Sequence, residues 1–233
     1  MTLVVDLSCN EGIILASDSQ FSSGATRTTG QKIWTGPSGP FILGLSGAES
    51  SMQLIRDGLL ATELTESLSD SRRTIAKVVA DILRPEYDRV RGLAANNDSL
   101  PIAATVIGAF VEGQHRLWLI DQWVNKSERQ GFVAAGWGAP YAEHAAIVFR
   151  EIRSRALTLH QAKMLAFRVV QDAIEIAGPQ VALNRPIQMA TLTRRDETTV
   201  VEHLEDDDPA ILEAVLNWTK AEAERFLDHA PPD

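Results

Sequence analysis

The sequence predicts an α+β protein: a four-layer α-β-β-α sandwich of two antiparallel sheets, with one added C-terminal helix. Two observations carry that reading. Short strands joined by tight turns recur at the start, in the middle and near the end of the chain, and helices come in pairs between them. The order is strands, two helices, strands, two helices, strands, helix, which suits two packed sheets each covered by a helical layer. The 233 residues are expected to form one domain over 1–233, with a core over 2–204 and a helical extension over 205–233.

The first strands are Thr2–Ser8 and the nearly continuous apolar run Gly12–Ser17, joined by the turn Cys9-Asn10-Glu11-Gly12. Ser22–Gly30 reads as a loop, Lys32–Thr35 as a short strand, Gly36–Pro40 as a turn, and Phe41–Ser46 as a strand ending in Ser46-Gly47. From Ala48 to about Leu68, the residues Met52, Ile55, Leu59, Leu60 and Leu64 keep helical spacing, with Gly58 a weak point. A second helix is signalled by Ser69-Asp70-Ser71 and then Ile75, Val78, Val79 and Ile82, with a bend expected at Pro85.

After Asn96-Asn97-Asp98 the pattern returns to strands over Pro101–Val111, His115–Asp121 and Phe132–Gly136, the first two joined by Glu112-Gly113-Gln114. Helices follow at Ala139–Arg153 and Leu157–Ile176, the latter opening at a Thr158 cap and stopping at Gly178-Pro179. Ile187–Arg194 and Thr198–His203 form a hairpin around Arg195-Asp196-Glu197. The final helix, Pro209–Leu227, follows Glu205–Asp208, whose charges suit the positive end of its dipole.

Composition excludes several functions. The chain is 45% hydrophobic and 23% charged, as in soluble globular proteins, and its formal charge of −9 disfavours nucleic acid and anionic membranes as partners. No apolar stretch reaches the roughly 18 to 20 residues of a spanning helix, and the first residues lack signal-peptide features, so the expected location is cytoplasmic. The single Cys9 cannot form an internal disulfide; it reads as a strand-end residue, with a nucleophile as the alternative. His115, His144, His160, His203 and His229 form no i, i+4 pair, and no P-loop or GxGxxG follows a strand. Neither a metal nor an organic cofactor is expected. Trp118, Trp123 and Trp137 read as core or subunit-contact residues.

Thr2, directly behind Met1 in Met-Thr-Leu-Val-Val-Asp, raises a chemical question. Removal of Met1 by an aminopeptidase would place a hydroxyl and a free amine on one residue, a nucleophile with its own base. Many ordinary chains also begin this way. Lys32 reads equally as a loop lysine, Asp18 as a turn cap, and Gly47 as a plain strand-to-helix turn.

Several local phrases, in order, resemble the proteasome β-type N-terminal-nucleophile hydrolases, including the bacterial HslV peptidase, over roughly Thr2–Arg194. Gly12-Ile13-Ile14-Leu15-Ala16-Ser17-Asp18-Ser19 is similar to the family's strand with an acidic end, and Gln31-Lys32-Ile33 to its lysine-bearing strand. Phe41–Gly47 resembles the strand ending in the substrate-binding glycine turn, and Gly136-Trp137-Gly138-Ala139-Pro140-Tyr141-Ala142 the helix-opening phrase of HslV. Ile176-Ala177-Gly178 and Pro186-Ile187-Gln188-Met189-Ala190-Thr191-Leu192 resemble later family segments.

The resemblance implies a threonine peptidase with Thr2 as nucleophile, Lys32 as the cation that keeps the Thr2 amine neutral, and Asp18 holding Lys32 charged and in place. An α-amine titrates near about pH 8, close enough to neutrality to act as a base. The resemblance also implies that an extended peptide or unfolded protein adds as a strand between Phe21-Ser22 and Gly47-Ala48-Glu49, with the Gly47 N–H as oxyanion donor. Leu45 and Glu49 are candidates for the first specificity pocket. A homo-oligomeric ring is implied, with the helices over Ala48–Asn96 at its contacts and rim; some relatives need an ATPase unfoldase to feed substrate.

Three departures from the family pattern stand out. The loop between Asp18 and Lys32 is shorter than usual, which leaves the lysine geometry open. Trp137 replaces the family's serine and is expected to crowd the pocket. The D-x-x-S pair has no clear counterpart: Asn184 stands near the serine, Gln180 or Val181 near the aspartate, and Asp172 and Glu175 lie too far back. The alternatives are therefore a non-catalytic structural or binding subunit, or a peptide ligase that resolves an acyl-threonine with an amine.

Overall fold

The computed structural model describes residues 2–23, 26–36, 41–62, 68–91, 103–120, 126–129, 131–148, 157–181, 183–195, 198–204 and 208–228. Expectations that fall wholly or partly outside them concern Met1, residues 37–40, Leu64, the Asn96-Asn97-Asp98 break, Pro101, Asp121, Trp123, residues 149–153, Asp196-Glu197, the acidic residues 205–207 and His229. Two five-stranded antiparallel sheets form the centre. The strands are β1 (Val4–Ser8), β2 (Gly12–Ser17), β3 (Gln20–Ser23), β4 (Thr26–Thr29), β5 (Ile33–Thr35), β6 (Phe41–Gly47), β7 (Ala103–Val111), β8 (Gln114–Ile120), β9 (Lys126–Arg129), β10 (Phe132–Ala135), β11 (Gln188–Arg195) and β12 (Thr198–Leu204). The first sheet runs β10-β1-β2-β11-β12 and the second β5-β6-β7-β8-β9, while β3 and β4 form a separate hairpin.

The alternation of side chains across a strand explains the layers. In β1 and the residue before it, Leu3, Val5 and Leu7 join the core beneath the helices that cover the first sheet, whereas Val4 joins Ile13, Leu15, Ile33, Ile42, Val106, Leu117 and Leu192 between the sheets. Both faces of β1 and β2 are buried, which is why Gly12–Ser17 is nearly all apolar. Gly44 lets the sheets meet closely, since a Cβ there would strike Val4 and Leu15.

Helices α3 (Ala139–Val148) and α4 (Leu159–Val181) cover the first sheet; α1 (Glu49–Leu60) and α2 (Leu68–Arg91) cover the second. The α-β-β-α order expected from the sequence is therefore the observed one. Helix α5 (Pro209–Asp228) lies outside it, sending Ile211 and Val215 into the α4 core while Arg168 Nη1 donates to Thr219 Oγ1 at 3.4 Å. Asp208 Oδ1 caps α5 by accepting the Ala210 N–H at 2.9 Å. At the head of α4, Thr158 and Gln161 exchange hydrogen bonds of 3.0 and 3.3 Å, a capping box.

Four local readings change. Ser22–Gly30 is not all loop: Ser22 and Arg27 pair in the β3–β4 hairpin, whose polar residues give no apolar alternation to betray it. Strand β9, Lys-Ser-Glu-Arg, was unreadable for the same reason; all its residues are polar, as an edge strand permits. Helix α1 closes at Leu60, with the Thr62 hydroxyl donating to the Gly58 carbonyl at 2.7 Å. Helix α4 continues through Gly178-Pro179 to Val181, because a proline in the last turn removes only one backbone donor.

Candidate active site

The β1–β2 register brings the first site residues together. Val4 pairs with Ser17, so Asp18, one step past the end of β2, lies beside Leu3 and the chain start. The Leu3 N–H donates to Asp18 Oδ1 at 2.8 Å, and the Gln20 N–H donates to Asp18 Oδ2 at 3.0 Å. Lys32, just before β5, reaches the same carboxylate from the second sheet: its Nζ donates to Asp18 Oδ1 at 2.8 Å and to the Gln20 carbonyl at 2.6 Å. The ammonium also lies 5.1 Å from the Phe21 ring centroid.

Asp18 and Lys32 are both fully buried. Burial raises the Asp18 carboxyl above the usual carboxylate range, with the Lys32 ammonium and the Leu3 and Gln20 amides offsetting part of the rise. Burial likewise lowers Lys32 from an ordinary lysine, and Asp18 offsets part of that. The pair is held by geometry in a place where neither charge is hydrated. Thr2 is also buried, and its Oγ1 has no hydrogen-bond partner among the described residues.

A second wall comes from β10 and β6. The Gly138 N–H donates to the Thr2 carbonyl at 3.3 Å. Gly136 has φ +97°, and a Cβ there would overlap both the Thr2 carbonyl oxygen and Ser46 Oγ. Only glycine meets both demands. The Thr2 carbonyl and Ser46 Oγ therefore both lie against the Gly136 backbone. Gly47 itself has φ +141°, and Ala48 caps α1 with no side-chain hydrogen bond.

Glu49 lines a cavity with Phe21, Gln31, Trp34, Gln53 and Arg56. Gln53 Nε2 donates to Glu49 Oε1 at 3.4 Å, and the Arg56 guanidinium sits 5.9 Å from the Trp34 ring while pairing with Asp57. Leu45, expected at this pocket with Glu49, is instead fully buried in the core under α1 and α2, because it points to the helical face of β6. Ser22 lies in β3, where its backbone pairs with Arg27; its side chain is outside the description.

Trp137 is 64% exposed, so it does not crowd the site. It sits between Gly136 and Gly138, both of which pack against the Thr2-Leu3 segment. Asn184 gives its carbonyl to the Ser19 N–H at 3.2 Å, while its side-chain Oδ1 accepts the Arg185 N–H at 2.9 Å. The amide therefore serves its own turn. Asp172 pairs with Arg168 at 2.8 Å on α4. The side chains of Gln180 and Val181 are outside the description.

Cys9 is buried, and burial raises its thiol away from a reactive thiolate. Among the described residues no group of His, Cys, Asp and Glu is placed to hold a metal ion, and no helix is long and apolar enough to cross a membrane. Two contributors had no role in the sequence reading: the Gln20 carbonyl, invisible because it is backbone, and Gln188. Gln188 stood in the sequence only as part of the family-like phrase Pro186–Leu192, with no role of its own.

No protein-family profile matches the sequence, and no curated protein is significantly similar to it. Solved structures do match. Among them are Anbu from Hyphomicrobium sp. strain MC1 (TM-score 0.70, 18% identity, 99% of each chain) and its Gly-1 mutant (0.73, 18%, 100% of each chain). Another is Anbu from Yersinia bercovieri, described as an ancestral beta-subunit (0.76, 17%, 99% of this chain and 98% of that one). The fold is thus the proteasome-like N-terminal-nucleophile fold. The likeness to HslV in particular is corrected, because the neighbours are Anbu proteins and the low identity carries the fold alone.

Proposed function

We propose that the chain is a proteasome-like threonine peptidase that uses Thr2 once Met1 is removed. The observation that carries this reading is one oxygen: Asp18 Oδ1 accepts both the Leu3 N–H beside Thr2 and the Lys32 ammonium. The ammonium is thereby held next to the chain start, where like-charge repulsion favours a neutral Thr2 amine.

The freed amine takes the proton from Thr2 Oγ1, directly or through one water, as the oxygen attacks the substrate carbonyl. The Gly47 N–H stabilises the oxyanion of the tetrahedral intermediate. Collapse breaks the C–N bond; the amine returns its proton to the leaving nitrogen and the acyl group stays on Thr2. Water then attacks the ester carbonyl as the amine accepts its proton; collapse breaks the bond from the acyl carbon to Oγ1, the amine returns the proton to Oγ1, and the acid product leaves with Thr2 restored. Substrate is an extended peptide or unfolded segment laid between Phe21-Ser22 and Gly47-Glu49, one side chain entering the cavity at Glu49. Ring assembly of identical copies belongs to this proposal, as does a feeding ATPase.

The second reading, a non-catalytic structural subunit of the same fold, is favoured by Trp137 at the serine position and by the Asn184 amide facing its own turn. Cleavage of short fluorogenic peptides by the wild-type chain and by Thr2→Ala separates the two. The peptidase cleaves only with Thr2; the structural subunit leaves every peptide intact in both forms.

A further inference from the structure

We propose that Gln188 is the positioning residue that seats Lys32, a role resting on the Thr2 reading above. Lys32 directly precedes β5, the edge strand of the second sheet, whereas Asp18 directly follows β2 of the first. Their ion pair must span two sheets whose separation is set by unrelated packing.

Gln188 bridges that gap. Its backbone pairs with Ser17, the residue before Asp18, so it shares a rigid frame with the carboxylate. Its side chain crosses to the other sheet, where Oε1 accepts the Lys32 N–H at 2.8 Å and Nε2 donates to the Gly30 carbonyl at 2.6 Å. A side-chain amide accepts at its oxygen and donates at its nitrogen without carrying charge, and both functions are used here. The Lys32 carbonyl accepts the Leu45 N–H at 3.1 Å, so the backbone on both sides of the lysine is clamped. The short connection from Asp18 to Lys32 gives this clamp its purpose: the β3–β4 hairpin fills that loop and would otherwise set where residues 30–32 land.

If Gln188 acts through Lys32, its loss changes the titration of the Thr2 amine as well as the rate. A retracted ammonium repels the amine proton less, so the pH midpoint of nucleophilic reactivity moves up towards the ordinary α-amine value of about 8. The test is the rate of covalent labelling by a β-lactone probe across pH 6 to 9 in wild type, Gln188→Met and Gln188→Glu. Gln188→Met removes both hydrogen bonds at similar volume, and Gln188→Glu keeps the acceptor for Lys32 N–H.

We expect Gln188→Met to label at least about tenfold more slowly at neutral pH, with an upward-shifted midpoint, and Gln188→Glu to lose less rate. A merely structural role lowers the folded fraction and leaves the midpoint in place. An unmoved midpoint in both variants, or in Gln188→Glu if Gln188→Met does not fold, overturns the assignment while the Thr2 reading stands. A wild-type chain freed of Met1 that takes no label overturns both.

Discussion

Asp18 Oδ1 accepts the backbone N–H of Leu3 at 2.8 Å, which ties the chain start to an oxygen whose other partner is a buried lysine. The same oxygen thus carries structural and chemical duties, and each can be probed separately.

Removing one partner of this pair leaves a buried charge alone. Asp18→Asn and Lys32→Met are each expected to destabilise the fold by about 3 to 5 kcal/mol. The double variant is expected to cost clearly less than the sum of the two. Urea unfolding of the three variants and wild type completes the cycle, and simple additivity would contradict the coupling.

Asp6 gives a pH prediction. It is fully buried on β1 between Leu15 and Val133 of the neighbouring strands. Neither carboxyl oxygen reaches a hydrogen-bond partner among the described residues. Burial therefore raises its pKa well above the usual range. The unfolded chain loses this proton near pH 4 while the folded one keeps it, so Asp6 contributes stability at low pH that is lost as pH rises towards the folded value. Melting temperatures from pH 4 to pH 8 should fall less steeply in Asp6→Asn than in wild type; equal slopes would show that Asp6 is hydrated or paired.

Gly136 tests the wall behind Thr2. Alanine there must adopt φ near +97° and push against the Thr2 carbonyl. Gly136→Ala is expected to lose about 1 to 3 kcal/mol and most of its reaction with a threonine-directed probe. Unchanged labelling would mean that the Thr2 backbone is not held by this turn.

Trp137, by contrast, should be dispensable to the fold. With its side chain largely in solvent, Trp137→Ala is expected to change stability by less than about 0.5 kcal/mol and to leave labelling by a small probe unaltered. A large loss in melting temperature of the assembled protein would place the indole in a subunit contact.

The layers were legible because β2 and most of β6 are apolar on both faces and the helices repeat at helical spacing; burial writes itself into such segments. Strands β4 and β9 were not, since Thr-Arg-Thr-Thr and Lys-Ser-Glu-Arg satisfy backbone pairing without burying an apolar face. Asp18 and Lys32 stood out through a family resemblance, because the contact between them joins two sheets and no local pattern encodes it. Gln188 was legible only as part of a family-like phrase: its partners at Gly30 and Lys32 are more than 150 positions away. Leu45 shows the opposite failure, a residue near the glycine turn in sequence whose strand parity sends it into the core.

The most direct test of the central claim is the intact mass of the purified chain before and after a β-lactone or epoxyketone probe. The account predicts a chain lacking Met1 that gains one probe, with Thr2→Ala unlabelled. A chain that retains Met1 and gains no adduct, or a Thr2→Ala variant that labels like wild type, would contradict it.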